Sequence, residues 1–363
     1  MALPFINGQT KKKRDQIIAI DLGGRSTKAV HMQRKGDAYT LLRYCVMDAP
    51  IYEKSMSVDL LAEHLKAVYQ SLETKTKYVS LAISVNDAVV RHAELPPIPV
   101  DDMRQILRIN TKNYLQQDLP GYTFDCYSSN NKSNGSKSSG QNEGGKAAGS
   151  NSQKLKVLVG GAKKQLTDDL QSAVKQAGLI PDQVNPGIVG PANAFELAMP
   201  ENFAADPIAL VDIGFKNSSI CLLYKGELIL SRVVNIGGDR FTQGLADSMS
   251  ISYAEAEGIK VGMPSEVQAG LEPLLTPLGR ELRASVDFFE HQRDCTVSQI
   301  FVSGGSARSE FIVKSLEAEL MAPCKSWNAA ASLQLALPPA QAGEIEQVAP
   351  QLTVAIGTAA AAF

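Results

Sequence analysis

The pattern of apolar and polar positions occurs twice along the chain. Ile17 to Ile20 form an apolar run that ends in Asp21-Leu22-Gly23, and Ile208 to Val211 form another that ends in Asp212-Ile213-Gly214. Polar or small residues follow, Gly24-Arg25-Ser26-Thr27 in the first copy and, after Phe215, Lys216-Asn217-Ser218-Ser219 in the second. A second apolar strand then runs into a Gly-acid turn, Gly36-Asp37 or Gly226-Glu227, and a third strand begins. Apolar runs of this length bounded by turn residues predict strands. The duplication predicts two similar subdomains that face one another across a phosphate.

Between and after the two copies the period changes. Leu60, Leu61, Leu65, Val68 and Leu72 share one side of a helix predicted from about Val58 to Leu72. Strands are predicted over Val79 to Val85 and Ala88 to Glu94, after which Leu95-Pro96-Pro97-Ile98-Pro99 breaks the pattern. A helix from Val100 to about Leu115 starts with Asp101 and Asp102, where the macrodipole favours acids. A strand at Phe124 to Ser128 gives way to residues 129–153, rich in Ser, Asn, Gly and Lys, which cannot bury a core and read as a flexible loop. Leu155 to Ala162 is the partner strand, and Gln165 to Ala177 is a helix closed by Gly178. A strand-to-helix link from Val184 to Leu197 precedes the second copy. Beyond it, residues 252–292 are mainly helical, with Leu274, Leu275, Leu278, Leu282, Val286 and Phe289 as core candidates. Leu337 to Ala349 reads as a surface loop, and Leu352 to Phe363 as a short apolar helix packed between the lobes.

Chemistry enters at the ends of the strands. Asp21 and Asp212 stand at strand mouths, and the glycine two residues on frees the backbone to turn. Backbone N–H groups there form an anion-binding concavity. Gly23, Gly24, Arg25, Ser26, Thr27 and Lys28 are candidate phosphate ligands in the first copy, and Gly214, Asn217 and Ser218 in the second. Asp21 and Asp212 would hold Mg²⁺ through waters, because that ion dehydrates reluctantly. Gly237-Gly238 opens a helix, a ready anion site. Glu257 and Lys260 fall on one helix face, and Ser303-Gly304-Gly305-Ser306-Ala307-Arg308 is a strand, a Gly-Gly turn and a helix start where an adenosine would lie. The chain carries neither a P-loop nor a strand-linked G-x-G-x-x-G.

These six motifs, in this order, resemble the actin-like ATPase superfamily and, within it, the PilM family of type IV pilus assembly proteins and its sister FtsA. The resemblance covers about residues 15–363 apart from one insert, and ends in Val354-Ala355-Ile356-Gly357-Thr358-Ala359. It implies an α/β actin-like ATPase fold, with ribonuclease H-like duplicated lobes and an FtsA/PilM-type 1C insertion. The implied division is a basic tail at 1–14, subdomain 1A at 15–94, 179–206 and 350–363, and 1C at 95–178. Subdomain 2A is expected at 207–251 and 293–349, and 2B at 252–292. The resemblance also implies ATP or ADP with Mg²⁺ and a scaffold role on the inner face of the inner membrane. The implied partner is the N-terminal tail of a PilN-like single-span membrane protein, held against surfaces from about Val79 to Ile109 and Leu155 to Ala177. Phe215 and Arg25 depart from the small residues usual at their positions.

Composition narrows the alternatives. The 363 residues are 44% hydrophobic and 20% charged, ordinary for a globular chain. A net charge of −2 predicts no nucleic-acid footprint, and Lys11-Lys12-Lys13-Arg14 is the one basic cluster. Five scattered cysteines and four histidines lack ligand spacing, which predicts a reducing cytoplasm and no metal cluster of their own. No apolar run is long enough to span a bilayer, and no signal peptide is evident. An FtsA-like filament protein that self-associates is the first alternative, although it would be expected to carry an amphipathic membrane helix after the core. A sugar or acetate kinase of the same fold would need a catalytic Asp in the link between lobes, where only Glu196 is acidic. Glu196 is thus the candidate for positioning an attacking water, and slow or absent hydrolysis is expected.

Overall fold

A computed structural model describes residues 1, 14–51, 56–128, 154–262 and 264–363. Residues 2–13 of the tail expected at 1–14, and the loop expected at 129–153, lie outside these. Arg14 is held, pairing with Asp182 and lying 4.0 Å over the Tyr78 ring.

The duplication seen in the sequence is a duplication of sheets. The first lobe opens with β1 (Gln16–Leu22), β2 (Ser26–Lys35) and β3 (Ala38–Asp48), followed by α1 (Val58–Ser71) and β4 (Tyr78–Ile83). The chain then leaves the lobe for β5 (Ala88–Leu95), α2 (Val100–Ile109), α3 (Thr111–Leu115), β6 (Tyr122–Tyr127) and β7 (Leu155–Lys163). It returns through α4 (Lys164–Gln176), β8 (Ile180–Pro186), α5 (Gly190–Ala198) and α6 (Pro200–Ala205). The second lobe holds β9 (Ile208–Ile213), β10 (Ser218–Tyr224), β11 (Glu227–Val234), α7 (Gly238–Met249), α8 (Tyr253–Gly262) and α9 (Pro264–Arg293). It continues with β12 (Gln299–Ser303), α10 (Glu310–Leu320) and β13 (Cys324–Ser326), and the chain closes with β14 (Gln334–Leu335) and α11 (Pro339–Ala362).

One sheet runs β14-β3-β2-β1-β4-β8 and the other β11-β10-β9-β12-β13. Without β14 the two orders are the same: an antiparallel three-strand meander whose first strand pairs in parallel with a later strand, which in turn pairs in parallel with the last. Ile17–Ile20 of central strand β1 and all of β9 but Asp212 are buried, which explains their unbroken apolar runs. The third sheet, β5-β7-β6, stands apart with its own core around Leu95, Met103, Leu107 and Phe124. Its buried Asp125 is answered by Arg104, whose Nη2 and Nε lie 2.6 and 2.8 Å from Oδ1.

Three boundaries differ from the sequence expectation. The strand at Ala88–Leu95 pairs with β7 in the small sheet, so the insertion begins near 88 rather than 95. Helix α4 packs on α1 and the first-lobe core through Leu170, Ala173 and Val174, so the insertion ends at 163 rather than 178. The helix expected to run to Leu115 stops at Ile109 and restarts at Thr111 across Asn110. The expected surface loop at 337–349 is the first half of one long helix, α11, with Pro350 inside it. Pro339 suits a first helical turn, and the Ala, Gln and Glu that follow are good helix formers.

Helices α5 and α11 form the layer between the two large sheets. Their shared core joins Ile17, Ala19 and Val30 of the first sheet to Ile208, Leu210 and Leu223 of the second. Phe195 anchors it, with Phe301 at 4.8 Å and Trp327 at 5.5 Å between ring centroids. The helices cross backbone to backbone, since a Cβ on Gly357 would sit 1.8 Å from the Gly190 carbonyl oxygen.

Candidate functional site

The two Asp-x-Gly turns meet at the mouth between the lobes. Asp21 lies opposite Lys28 on β2 and beside Ala82 on the parallel neighbour β4. Asp212 lies opposite Ser219 on β10 and beside Ser303 on β12, the equivalent places in the second lobe. Both carboxylates therefore sit at the carboxyl ends of central strands, where open α/β sheets bind ligands. Lys28 Nζ is 3.5 Å from Asp21, and Ser303 Oγ donates to Asp212 at 2.8 Å. Burial pushes the Asp21 carboxyl above the usual range, with Lys28 pulling the other way. Burial pushes Asp212 up as well; the Ser303 hydrogen bond opposes this, and the charge of Asp21 adds to it. The pair feel one another across the mouth.

The glycines are placed where side chains do not fit. A Cβ on Gly23 would lie 2.5 Å from the Ser26 carbonyl oxygen, and one on Gly214 would lie 2.8 Å from that of Asn217. Gly237 is tighter still, with the Phe215 and Gly214 carbonyl oxygens 2.4 and 2.7 Å from such a Cβ. The N–H groups of Gly238 and Asp239 donate to those carbonyls of Gly214 and Phe215 at 2.9 Å each, locking the start of α7 onto the second phosphate-type turn. Gly304 has φ +93°, where L residues are strained, and its N–H donates to the Pro350 carbonyl at 2.8 Å. Gly305 and the exposed Gly24 have open space or only ordinary contacts around them.

Lys260 is buried and fully used. Its ammonium donates to Thr242 Oγ1 at 2.7 Å, Glu257 Oε2 at 2.8 Å and the Gly238 carbonyl at 3.2 Å. Burial lowers its pKa, opposed by Glu257. Burial alone would raise Glu257, but hydrogen bonds from Lys260 and Thr242 outweigh it and hold that carboxyl below the usual range. The Ser306 hydroxyl reaches the same corner, 2.8 Å from where a Gly238 Cβ would be.

The structure divides the residues singled out from the sequence. It gathers Asp21, Gly23, Gly24, Arg25, Lys28, Asp212, Gly214, Gly237, Gly238, Glu257, Lys260, Gly304 and Ser306 around one mouth through the contacts above and those of Arg25 with Phe215 and Tyr253. Two hydroxyls point elsewhere: buried Thr27 meets His64 Nε2 at 2.8 Å, and buried Ser218 donates to the Ile236 carbonyl at 2.7 Å. Strand alternation explains Thr27, because Lys28 next to it takes the face of Asp21. Glu196 is not brought to the carboxylate pair. It lies 3.8 Å from the Met1 α-amino group, and Met1 lines a cavity with Gly226, Glu227 and Leu228 at the far end of β10. The strand between Ser219 and Tyr224 separates that end from Asp212 by about 15 Å at a strand's rise per residue. Thr242 goes with the Gly237-Gly238 turn already in the sequence, whereas Asp239 and Tyr253 were not foreseen as site residues. Only Asp239, beside the Gly-Gly pair, carried a local signal.

The cavity beside the small sheet measures about 600 Å³, and His92, Pro97, Tyr127, Leu155 and Leu158 line it from that side. His92 Nε2 is 2.7 Å from the Leu228 carbonyl oxygen, joining the small sheet to the second lobe. No helix among the described residues is long and apolar enough to cross a membrane.

Comparison with known proteins places this geometry. A solved PilM-PilN type IV pilus biogenesis complex superposes over 96% of this chain and 98% of that one, at 20% identity and a TM-score of 0.79. The ethanolamine utilization protein EutJ from Carboxydothermus hydrogenoformans covers 96% of this chain and 90% of its own at 15% identity, with a TM-score of 0.55. MreB 5 of Spiroplasma citri, solved with AMPPNP, covers 96% of both chains at 11% identity and a TM-score of 0.50. These likenesses establish the actin-like fold. The family described as type IV pilus assembly protein PilM matches residues 145–363, more than half of the chain, and the protein belongs to that family.

Proposed function

We propose that this protein is a nucleotide-binding scaffold of type IV pilus assembly. In this reading ATP or ADP lies between the lobes, and the protein holds the N-terminal tail of a PilN-like membrane protein, which recruits it to the inner face of the inner membrane. One observation carries the nucleotide half: two Asp-x-Gly turns in equivalent places of two like sheets, closed by glycines whose Cβ atoms would strike backbone. Gly23, Gly24 and Lys28 would face the phosphates from one side, and Gly214, Asn217, Gly237 and Gly238 from the other. Gly304, Gly305, Ser306 and Arg308 would back the adenosine, with Glu257 and Lys260 beside the ribose. Thr27 and Ser218 contribute backbone alone, because their hydroxyls are engaged.

The residues present also fit a divalent cation. Asp21 and Asp212 are two half-buried carboxylates whose charges oppose one another, with Lys28 and Ser303 as partial offsets. Bound Mg²⁺ would neutralise them and supply positive charge to the phosphates. Asp21 and Asp212 would hold it, through water.

The partner half rests on family membership and on the likeness to the PilM-PilN complex. The small sheet and the neighbouring cavity offer apolar walls at Leu155 and Leu158 and an edge strand, β5, for an extended peptide. Two measurements test the reading. A fluorescent ATP analogue with Mg²⁺ should bind the wild type and bind Asp212→Asn more weakly. A PilN-like N-terminal peptide should bind the nucleotide-loaded protein. No binding of the analogue refutes the first half, and no binding of the cognate tail refutes the second.

A further inference from the structure

The two residues that depart from the small side chains usual in these turns meet in space. Arg25 leaves the first lobe at the β1–β2 turn, and its Cζ lies 5.7 Å from the Phe215 ring centroid and 5.9 Å from that of Tyr253, both in the second lobe. Its Nη1 is 3.5 Å from Tyr253 Oη. The turns themselves touch, since a Cβ on Gly24 would stand 3.7 Å from Phe215 Cδ1 and 3.9 Å from Lys216 Cγ.

The second-lobe side is built as a receptor for this group. Tyr253 Oη donates to Asp239 Oδ1 at 2.8 Å, and Lys216 Nζ donates to Asp239 Oδ2 at 2.6 Å. The Asp239 N–H in turn donates to the Phe215 carbonyl at 2.9 Å, so four residues hold one another in place. Burial and Asp239 push the Tyr253 hydroxyl up to about 12, keeping it a neutral donor. A guanidinium stacks on aromatic faces and is weakly hydrated, so two rings can hold it at an exposed site. Arg25 is exposed and crosses from one lobe to the other, near enough for its charge to act on Glu257 and Lys260.

We propose that Arg25 is a cross-cleft latch: seated between Phe215 and Tyr253, it closes the mouth between the lobes and gates nucleotide entry and release. This rests on the nucleotide-binding reading above, but the contact itself exists without nucleotide. A latch slows entry and release together, whereas a phosphate ligand slows release alone. Two exposed cation–π contacts correspond to about a fivefold to thirtyfold change in the open fraction.

Stopped-flow mixing with mant-ATP and Mg²⁺ gives both rates. Arg25→Ala should raise entry and release by about fivefold to thirtyfold each, so that affinity changes less than either rate. Phe215→Ala, which leaves the charge and the Tyr253 contact in place, should raise both by about twofold to fivefold, and the double variant should match Arg25→Ala, which already removes both contacts. A rise in release alone for Arg25→Ala, or no effect of Phe215→Ala, overturns the latch. Amide hydrogen exchange of residues 22–27 and 214–217 without nucleotide should quicken at least fivefold in Arg25→Ala and about twofold to fivefold in Phe215→Ala. It should stay at the wild-type rate in Arg34→Ala, whose side chain bonds the Gly36 carbonyl at the far end of β2. Quickened exchange in a protein that binds no mant-ATP upholds the latch and refutes the nucleotide reading. Unchanged exchange refutes the latch whether or not nucleotide binds.

Discussion

Replacing Asp212 by Asn should stabilise the ligand-free protein while weakening its hold on nucleotide. Asp212 is a half-buried carboxylate whose pKa is raised by desolvation and by Asp21, with the Ser303 hydroxyl donating to it. A buried ion costs several kcal/mol of solvation, and one charged hydrogen bond returns about 1.5–3 kcal/mol. Asparagine keeps an acceptor for Ser303 and removes the charge, so a net gain of about 1–2 kcal/mol is expected, within the range of single stabilising changes. In a chain of this length that amounts to a few °C in Tm, about 2–4 °C per kcal/mol as an upper bound. The sign follows from linkage. Because the folded pKa is raised above 3.8, the folded state binds a proton where the unfolded state does not. The penalty is complete above the raised folded pKa and gone below about pH 3.8, so the advantage of Asp212→Asn should vanish over that window. Thermal unfolding in EDTA at neutral pH, repeated towards pH 4, checks the first half. Adding Mg²⁺ and ATP should reverse the order, since ligand at about 100 times Kd stabilises the wild type by ~2.7 kcal/mol. An Asp212→Asn protein less stable than wild type without ligand would refute the claim that this carboxylate is held at a cost.

Gly237→Ala should lower nucleotide affinity at least tenfold and destabilise the protein by about 2 kcal/mol, because the new Cβ strikes two backbone carbonyls that cannot yield as side chains do; titration calorimetry and urea unfolding read the two effects. Arg104→Ala should cost about 3 kcal/mol by stranding buried Asp125, and Arg104→Met with Asp125→Leu should recover most of it, as seen in chemical denaturation; equal losses in both proteins would refute the reading. ATP turnover should stay below about 1 s⁻¹, and Glu196→Gln should leave it unchanged in a phosphate-release assay, since Glu196 sits beside Met1; a large drop would put the glutamate back in the chemistry.

The repeated hairpins were legible because a strand buried on both faces writes an unbroken apolar run, and the acid that ends it stands out. The Glu257–Lys260 pair was legible for a similar reason, three residues apart on one helix. What it does was not, because Thr242 and the Gly238 carbonyl approach from another helix. Helix α11 was hidden by Pro350. A proline removes one N–H from a helix, yet here Ile345, Ala349 and Leu352 are buried around it and its carbonyl accepts from Gly304. Tertiary packing outweighed the local break. The meeting of Arg25 with Tyr253, 228 positions away, leaves no local trace at all. The insertion boundaries failed for a simpler reason: an apolar strand does not say which sheet it joins, so Ala88–Leu95 read as part of the lobe it leaves.

The glycine crossing of α5 and α11 has a consequence for how such a protein diverges. At Gly190 and Gly357 there is no side chain to exchange for a slightly larger or smaller one, because any Cβ on Gly357 would overlap a carbonyl oxygen. The axle between the lobes therefore has a fixed gauge. Descendants of this sequence can retune how readily the lobes part only at the rim, where Arg25 and Phe215 are exposed or half-buried and free to vary. Opening behaviour should drift quickly between relatives while the geometry of the swing stays constant.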